Sequence, residues 1–271
     1  MKTGCVIGGA AIAWGLCVSP AAAEEPDKRL AKGLQDNSFL IEEAYNQEPG
    51  VVQHIALLRH QNRDWVLNFT QEWPLGTQAH QFSYTVPYSL LRADGQHFSG
   101  VGDITLNYRF QALYESDRGP AFAPRVSLIL PSGNSDKQLG TGSVGYQVLF
   151  QFSKIVSDRV TLHANAGVTS YFDVFDKRPT SYLLGGSVVY AVTRDFNLML
   201  EALGERTESV NSDREIEREK KFTISPGVRH AFNLSGGQLV LGVGAPIQFT
   251  DAKTDYGVMF YLSFEHSFLK K

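Results

Sequence analysis

Eight ionisable side chains lie in segments in which apolar and polar residues alternate. On the polar faces of these segments stand Asp103, Arg109, Arg125, His163, Glu201, Lys221, Arg229 and Glu265. Charges in a low-dielectric interior must pair with one another or meet water. The pattern therefore predicts one of two arrangements. The first is a salt-bridge network that fills a narrow interior, and the second is a charged constriction that selects solutes by charge and size.

Acid–base catalysis is the other chemistry that these residue types could perform. His163 is followed two residues later by Asn165, so both side chains lie on one face of a strand. A serine hydrolase needs a nucleophile, a base and a group that orients the base. The sequence contains no Gly-x-Ser-x-Gly elbow, and no serine is placed by the sequence to complete the set. We expect His163 to make a hydrogen bond in an interior, and we predict that the chain is not an enzyme.

Metal, cofactor and nucleic-acid binding have little support in the sequence. The remaining histidines show no ligand spacing such as His-x-x-x-His; they are His54, His60, His80, His97, His230 and His266. The Gly-x-Gly sequences at 140–142 and 242–244 open no helix. The formal net charge of -3 argues against nucleic acid as a partner. We therefore predict no metal and no cofactor.

The polar faces belong to strands that repeat along most of the chain. In the clearest strand, 103–111, Ile104, Leu106, Tyr108 and Phe110 fall on one face and polar residues on the other. Similar runs predict about twelve strands of about ten residues, the length of a tilted strand that crosses a bilayer. Short connections at 73–76, 156–158, 192–195 and 233–237 alternate with longer ones, including 131–142 and a charged loop at 206–219. We predict a single antiparallel transmembrane β-barrel over residues 51–271.

A soluble β-sandwich is the alternative fold, because its strands also alternate. Two features favour the membrane. Aromatic residues lie towards the predicted strand ends, as in an interfacial girdle, and the polar faces carry bulky charges along the strand interiors.

The first fifty residues predict a signal for export of the protein, followed by a segment that is separate from the barrel. Lys2, an apolar run at 6–16 and Ala21-Ala22-Ala23 are typical of a secretory signal peptide, residues 1–23, cleaved after Ala23. Both cysteines of the chain precede that site, so the mature chain would have no disulfide. We expect residues 24–50 to form a flexible periplasmic segment. A plug formed by 38–50 in the periplasmic mouth is the alternative.

Four segments resemble a known family. Residues 42–54, Glu-Glu-Ala-Tyr-Asn-Gln-Glu-Pro-Gly-Val-Val-Gln-His, are similar to the start of the phenol meta-pathway (MetA-pathway of phenol degradation) outer-membrane transporter-like proteins. Gly102-Asp103-Ile104, Leu130-Pro131-Ser132-Gly133 and Leu139-Gly140-Thr141-Gly142 fit the layout of that family. The resemblance covers roughly residues 38–268 and implies an outer-membrane barrel that passes small molecules, aromatic or hydrophobic ones among them.

The leading functional hypothesis is thus a passive channel of the outer membrane, reached through the general secretory pathway. Its partners would be outer-membrane lipid, lipopolysaccharide, the barrel-assembly machinery and an unidentified small solute. Two alternatives stay open at this point. One is a structural or adhesive barrel with a sealed lumen, and the other is a membrane hydrolase that uses His163.

Overall fold

The computed structural model describes residues 28–93 and 96–268, and its regular structure consists almost wholly of β-strands. The predicted signal peptide, residues 1–23, lies outside the described residues. The strands are β1 (Val51–Gln61), β2 (Asp64–Leu75), β3 (Thr77–Ala93), β4 (Gln96–Val101), β5 (Ile104–Phe110), β6 (Ala121–Leu130), β7 (Gly145–Ile155), β8 (Val160–Tyr171), β9 (Thr180–Ala191), β10 (Phe196–Val210), β11 (Ile216–Leu234), β12 (Gly237–Gly244), β13 (Ile247–Thr250) and β14 (Thr254–Ser267). Two 3-10 turns occupy Leu30–Lys32 and Ser135–Lys137.

These fourteen segments form a closed barrel of twelve antiparallel strands. β4 and β5 both pair with β3, while β12 and β13 both pair with β11 and β14, so each of these two pairs acts as one interrupted strand. The barrel closes where β1 pairs with β14, from Val51 opposite Ser267 to Gln61 opposite Gly257. The prediction of a single antiparallel barrel of about twelve strands is confirmed.

The two faces of each strand meet different surroundings. In β5 the outward side chains of Tyr108 and Phe110 are exposed, whereas the inward side chains of Asn107 and Arg109 are buried. Large apolar side chains are exposed in this way around the outer wall, as a lipid-facing surface requires. A shallow apolar depression of about 450 Å3 on this outer face, near Leu58, Val228 and Phe260, belongs to the same surface. No helix among the described residues has the length and apolar character needed to cross a membrane.

The connections place both ends of the barrel chain on one side. β1 begins and β14 ends at the rim that also carries the short turns near residues 76, 156–159, 192–195 and 235–236. In outer-membrane barrels the short turns are periplasmic, so this rim is the periplasmic one. The expected charged loop at 206–219 is instead a β-hairpin, because β10 and β11 stay paired as far as Val210 and Ile216. Glu208 faces Arg218 across the two strands, with Arg218 Nε 2.9 Å from Glu208 Oε1.

Residues 34–47, here called the inner segment, lie inside the barrel. We expect a flexible periplasmic segment over residues 24–50, with a plug formed by 38–50 as the alternative; residues 24–27 lie outside the described part of the chain. The structure instead buries Leu34, Phe39, Ile41 and Ala44 of this stretch in the lumen. The preceding 3-10 turn rests on the periplasmic rim, where Ala31 N donates to Asp158 O at 2.9 Å. The inner segment has no regular secondary structure, so its backbone groups need partners from the barrel wall.

Candidate functional site

Inward-facing side chains of the barrel wall supply hydrogen-bond partners for the backbone of the inner segment. Glu201 Oε1 on β10 accepts hydrogen bonds from Leu40 N at 2.7 Å and Ile41 N at 3.0 Å. Asn165 on β8 accepts from Glu42 N at 2.8 Å and donates to Glu42 O at 2.9 Å. Glu201 and Asn165 thus supply hydrogen-bond partners for buried backbone groups of the inner segment, which is neither helix nor strand. These bonds fix the position of the inner segment along the barrel axis.

A second group of contacts holds the beginning of the inner segment. Arg229 on β11 is 2% exposed, and its Nη1 donates to Asp36 O at 2.7 Å and to Asn37 O. Asp36 Oδ1 accepts from Tyr261 OH at 2.6 Å and from Gln53 Nε2 at 2.9 Å. Three strands, β1, β11 and β14, thereby converge on Asp36 and Asn37.

Arg109 on β5 holds the end of the inner segment. Its Nε donates to Asn46 Oδ1 at 2.7 Å, and its Nη2 donates to Tyr45 O at 2.7 Å. Glu72 Oε2 lies 3.6 Å from the same Nη2, so the guanidinium charge has an acidic partner. Arg109 is therefore occupied by the chain itself.

A glycine-lined notch in the wall receives the Phe39 ring. A Cβ placed on Gly227, Gly242 or Gly244 would lie 2.6–2.7 Å from carbons of this ring. Only the absence of a side chain at these positions lets the ring approach the strands so closely. The Tyr261 ring packs on the other side of Phe39, with ring centroids 5.3 Å apart.

Glu43 is a buried carboxyl group within the inner segment. Burial raises the pKa of Glu43 to about 8, and the neighbouring Asp36 carboxylate acts in the same direction. Arg109 and Arg229 lower the pKa by smaller amounts. The neutral form of Glu43 therefore fits the lumen better than the charged form.

A cavity of about 300 Å3 lies between the inner segment and the extracellular half of the wall. The apolar residues that line this lumen cavity are Phe39, Leu40, Ile55, Leu57 and Ile129. Its polar lining includes Glu42, Asn68, Thr70, Glu72, Thr85, Thr105, Asn107, Arg125 and Gln147. A second cavity of about 220 Å3 lies nearer the extracellular mouth, between Arg59, Asp64, Glu205, Lys221 and Gln248.

The eight predicted site residues do not form one ring. Arg109, Glu201 and Arg229 hold the inner segment, and Arg125 lines the lumen cavity. Lys221 lies at the mouth, 2.9 Å from Glu219 Oε2, and Glu265 is half-buried near the periplasmic end of β14. Asp103 lies in the break between β4 and β5. There its two oxygens accept from Gly133 N at 3.0 Å and Thr141 N at 2.8 Å, so it pins the 131–144 loop.

His163 is buried and contacts a serine that sequence reasoning missed. Ser153 Oγ lies 2.7 Å from His163 Nδ1, because the two residues are directly opposite each other on β7 and β8. The same hydroxyl accepts from Ala44 N at 2.7 Å, and the adjacent cavity measures only about 10 Å3. The pair thus serves as a further anchor of the inner segment, with no room beside it for a substrate. The sequence alone does not give the register of β7 on β8, and only that register places Ser153 opposite His163.

Metal-ligating side chains do not cluster in the described part of the chain. No group of three or more His, Cys, Asp or Glu side chains there is placed to hold a metal ion.

Comparison with known proteins gives one family and several structures. Residues 48–264 match the family described as "Putative MetA-pathway of phenol degradation". No curated protein sequence matches the chain. The COG4313 outer membrane channel from Pseudomonas putida F1 superposes with a TM-score of 0.65 at 14% identity, covering 83% of this chain and 98% of that one. This similarity shows a shared outer-membrane barrel fold.

Two further solved structures are less similar to this chain. The KdgM porin superposes with a TM-score of 0.49 at 12% identity, covering 80% of this chain and 99% of that one. The CymD monoaromatic hydrocarbon channel gives 0.40 at 8% identity, with 83% and 90% covered.

Proposed function

The chain belongs to the MetA-pathway of phenol degradation family and folds as an outer-membrane barrel, and from these premises we propose that it is a passive channel for small molecules. The solutes that the family description suggests are aromatic or hydrophobic. Passive diffusion needs only a path of suitable size and polarity, and the barrel lumen provides the space for one.

The observation that carries this proposal is the lumen cavity. A barrel whose interior served only as a structural filling would pack its inward side chains against each other. Here apolar side chains, among them Phe39, Ile55 and Leu57, and polar side chains together line a space of about 300 Å3. That volume is at the lower end of the range of about 300–1,000 Å3 typical of small-molecule sites. A solute with an apolar body and a polar group fits this mixed lining.

Permeation into liposomes tests the proposal directly. We would refold the mature chain, residues 24–271, into liposomes and follow swelling in solutes of increasing size, with protein-free liposomes as the control. Swelling by single-ring and short-chain solutes, with a sharp fall for larger ones, is the expected result. Swelling no faster than in protein-free liposomes for every solute would contradict a channel.

A sealed barrel is the second candidate, and the packing of the inner segment favours it. Residues 34–47 occupy the periplasmic half of the lumen and bond to most of the wall strands. A sealed barrel would stay impermeable in liposomes while remaining folded and membrane-embedded. A channel in which the inner segment forms a constriction would admit at least the smallest solutes.

We also propose the finer points of this assignment. The chain is exported through the general secretory pathway, contacts lipid and lipopolysaccharide, and is inserted by the barrel-assembly machinery. It acts without enzymatic chemistry, since Ser153 Oγ is engaged by Ala44 N and the space beside His163 is too small for an ester. Lipase or esterase activity that disappears in a His163→Ala variant would overturn this last point.

A further inference from the structure

The mouth cavity, of about 220 Å3, is lined by charged side chains of both signs. Two of these charged residues are engaged by the chain itself. Lys221 lies directly opposite Glu205 but pairs with another carboxylate, since its Nζ is 2.9 Å from Glu219 Oε2. Asp64 Oδ1 accepts a hydrogen bond from Arg92 N at 2.8 Å.

Arg59 on β1 and Glu205 on β10 are the other two charged residues of the lining. Both are half-buried, and neither forms an ion pair or a side-chain hydrogen bond within the described part of the chain. Around the barrel, three strands separate β10 from β1: β11, the interrupted strand of β12 and β13, and β14. The guanidinium and the carboxylate therefore reach the mouth cavity from different sides. One unpaired charge of each sign faces the space between them.

Gln61 adds a buried donor without an acceptor to the same cavity. It follows Arg59 on the inward face of β1, is 9% exposed, and has an Nε2 with no hydrogen-bond partner among the described residues. The two-residue turn at 62–63, with positive φ at both positions, holds Gln61 directly opposite Asp64. Buried polar atoms are almost always satisfied, so the Gln61 amide and the Arg59 guanidinium together call for an acceptor from outside the chain.

We propose that the mouth cavity binds a small zwitterion, a free α-amino acid, with its carboxylate on Arg59 and Gln61 and its ammonium group on Glu205. Arginine binds planar carboxylates well because its guanidinium presents several donors in a fixed geometry, and an ammonium group donates to a carboxylate. Val66 and Leu91 supply apolar lining for the side chain of such a solute.

The size and charge of the cavity favour this class of solute. At about 30 Å3 for each water molecule, the space of about 220 Å3 holds about seven waters, so it suits a small solute. A simple anion would leave Glu205 without a partner and would be repelled by it, and a simple cation would stand in the same relation to Arg59. A zwitterion meets both groups and adds no net charge. This site goes beyond the proposed channel function, because binding at the mouth does not require that the lumen below conducts.

Calorimetry on a protein of residues 24–271 in an uncharged polyoxyethylene detergent tests the site with three matched probes. Leucine is the zwitterion, 4-methylpentanoate lacks its amino group, and 3-methylbutylamine lacks its carboxylate. Leucine should bind at least about tenfold more tightly than either analogue, because each analogue loses the hydrogen bonds to one charged partner. Arg59→Gln should remove most of the preference for leucine over 3-methylbutylamine. Glu205→Gln should remove most of the preference for leucine over 4-methylpentanoate.

Arg92→Gln and Glu217→Gln are the matched controls, because each removes one exposed charge from a residue that does not line the cavity. If a control changes these preferences as much as Arg59→Gln or Glu205→Gln does, general electrostatics explain the effect and the site is refuted. Preferences that persist in Arg59→Gln and Glu205→Gln, no binding of leucine, or tighter binding of glucose than of leucine also refute it. Heat-modifiable migration on gels would confirm that each variant is folded. An impermeable barrel that binds leucine would overturn only the channel, and a permeable barrel that does not bind leucine would overturn only this site.

Discussion

Replacing Glu201 with leucine should release the inner segment from the barrel. Glu201 Oε1 accepts hydrogen bonds from Leu40 N at 2.7 Å and Ile41 N at 3.0 Å, and the side chain is fully buried. Leucine has a similar size but no acceptor, so both amide groups would be buried without a partner. In the released state those amides would meet water, so the substitution favours release.

The size of the effect follows from the two bonds. A buried amide left without a partner costs about 1–3 kcal/mol, so two cost docking of the inner segment about 2–6 kcal/mol. Because each 1.4 kcal/mol is about tenfold in an equilibrium constant, the released population should rise by about one and a half to four orders of magnitude. The barrel itself should stay folded, since its strand pairing does not depend on this side chain.

Thiol labelling measures the release. Residues 24–271 contain no cysteine, so in a protein of those residues Ser38→Cys introduces a single thiol at a position that is 3% exposed. Maleimide should label it at least about thirtyfold faster when Glu201→Leu is added, because labelling follows the opening equilibrium. Glu205→Leu is the matched control: it makes the same replacement four residues further along β10, on the same inward face and beside the mouth cavity. Equal labelling rates in Glu201→Leu and Glu205→Leu would refute the anchoring role of Glu201.

Three further predictions concern other contacts of the lumen and the extracellular face. Docking of the inner segment should weaken as pH rises from about 4.5 to about 8, because Glu43 is neutral in the lumen over that range and ionised when released. Conductance should therefore be higher at pH 8 than at pH 6, and Glu43→Gln should reduce the difference. Phe39→Ala should cost docking about 3–5 kcal/mol and raise conductance. Gly242→Ala should also raise conductance, because its Cβ would lie 2.6 Å from the Phe39 ring. In the double variant with Phe39→Ala the two effects should not add, and additive effects would contradict the packing of Phe39 in the glycine-lined notch. Asp103→Ala should leave conductance unchanged but make the 131–144 loop sensitive to protease, and an equally resistant loop would contradict its pinning role.

The barrel could be predicted because strand alternation is a local property of the sequence. Ile104, Leu106, Tyr108 and Phe110 fall on one face whatever the partners of the strand are, and β5 indeed exposes Tyr108 and Phe110 outward. The exception was the 206–219 region. There a high density of charge suggested a loop, but cross-strand pairing of Glu208 with Arg218 lets β10 and β11 continue.

The interior could not be predicted, because it depends on contacts between residues far apart in the chain. Nothing local to residues 34–47 indicates that Glu201, Arg109 and Arg229 would hold this segment, since these partners lie 63 to 193 residues away. The glycines that receive Phe39 are equally uninformative alone, because in a strand they also fit bends and bulges. Predicted charged positions were thus correctly placed on inward faces for Arg109, Arg125, Glu201 and Arg229, but their partners needed the three-dimensional arrangement.

Single-channel recording in planar bilayers tests the central claim most directly. A protein of residues 24–271 would be compared with one of residues 49–271, which lacks the whole inner segment. A channel narrowed by the inner segment predicts a small, steady conductance for the longer protein and a several-fold larger one for the shorter protein. Equal conductance in the two proteins would show that the inner segment does not control the lumen, and silence in both would contradict a channel.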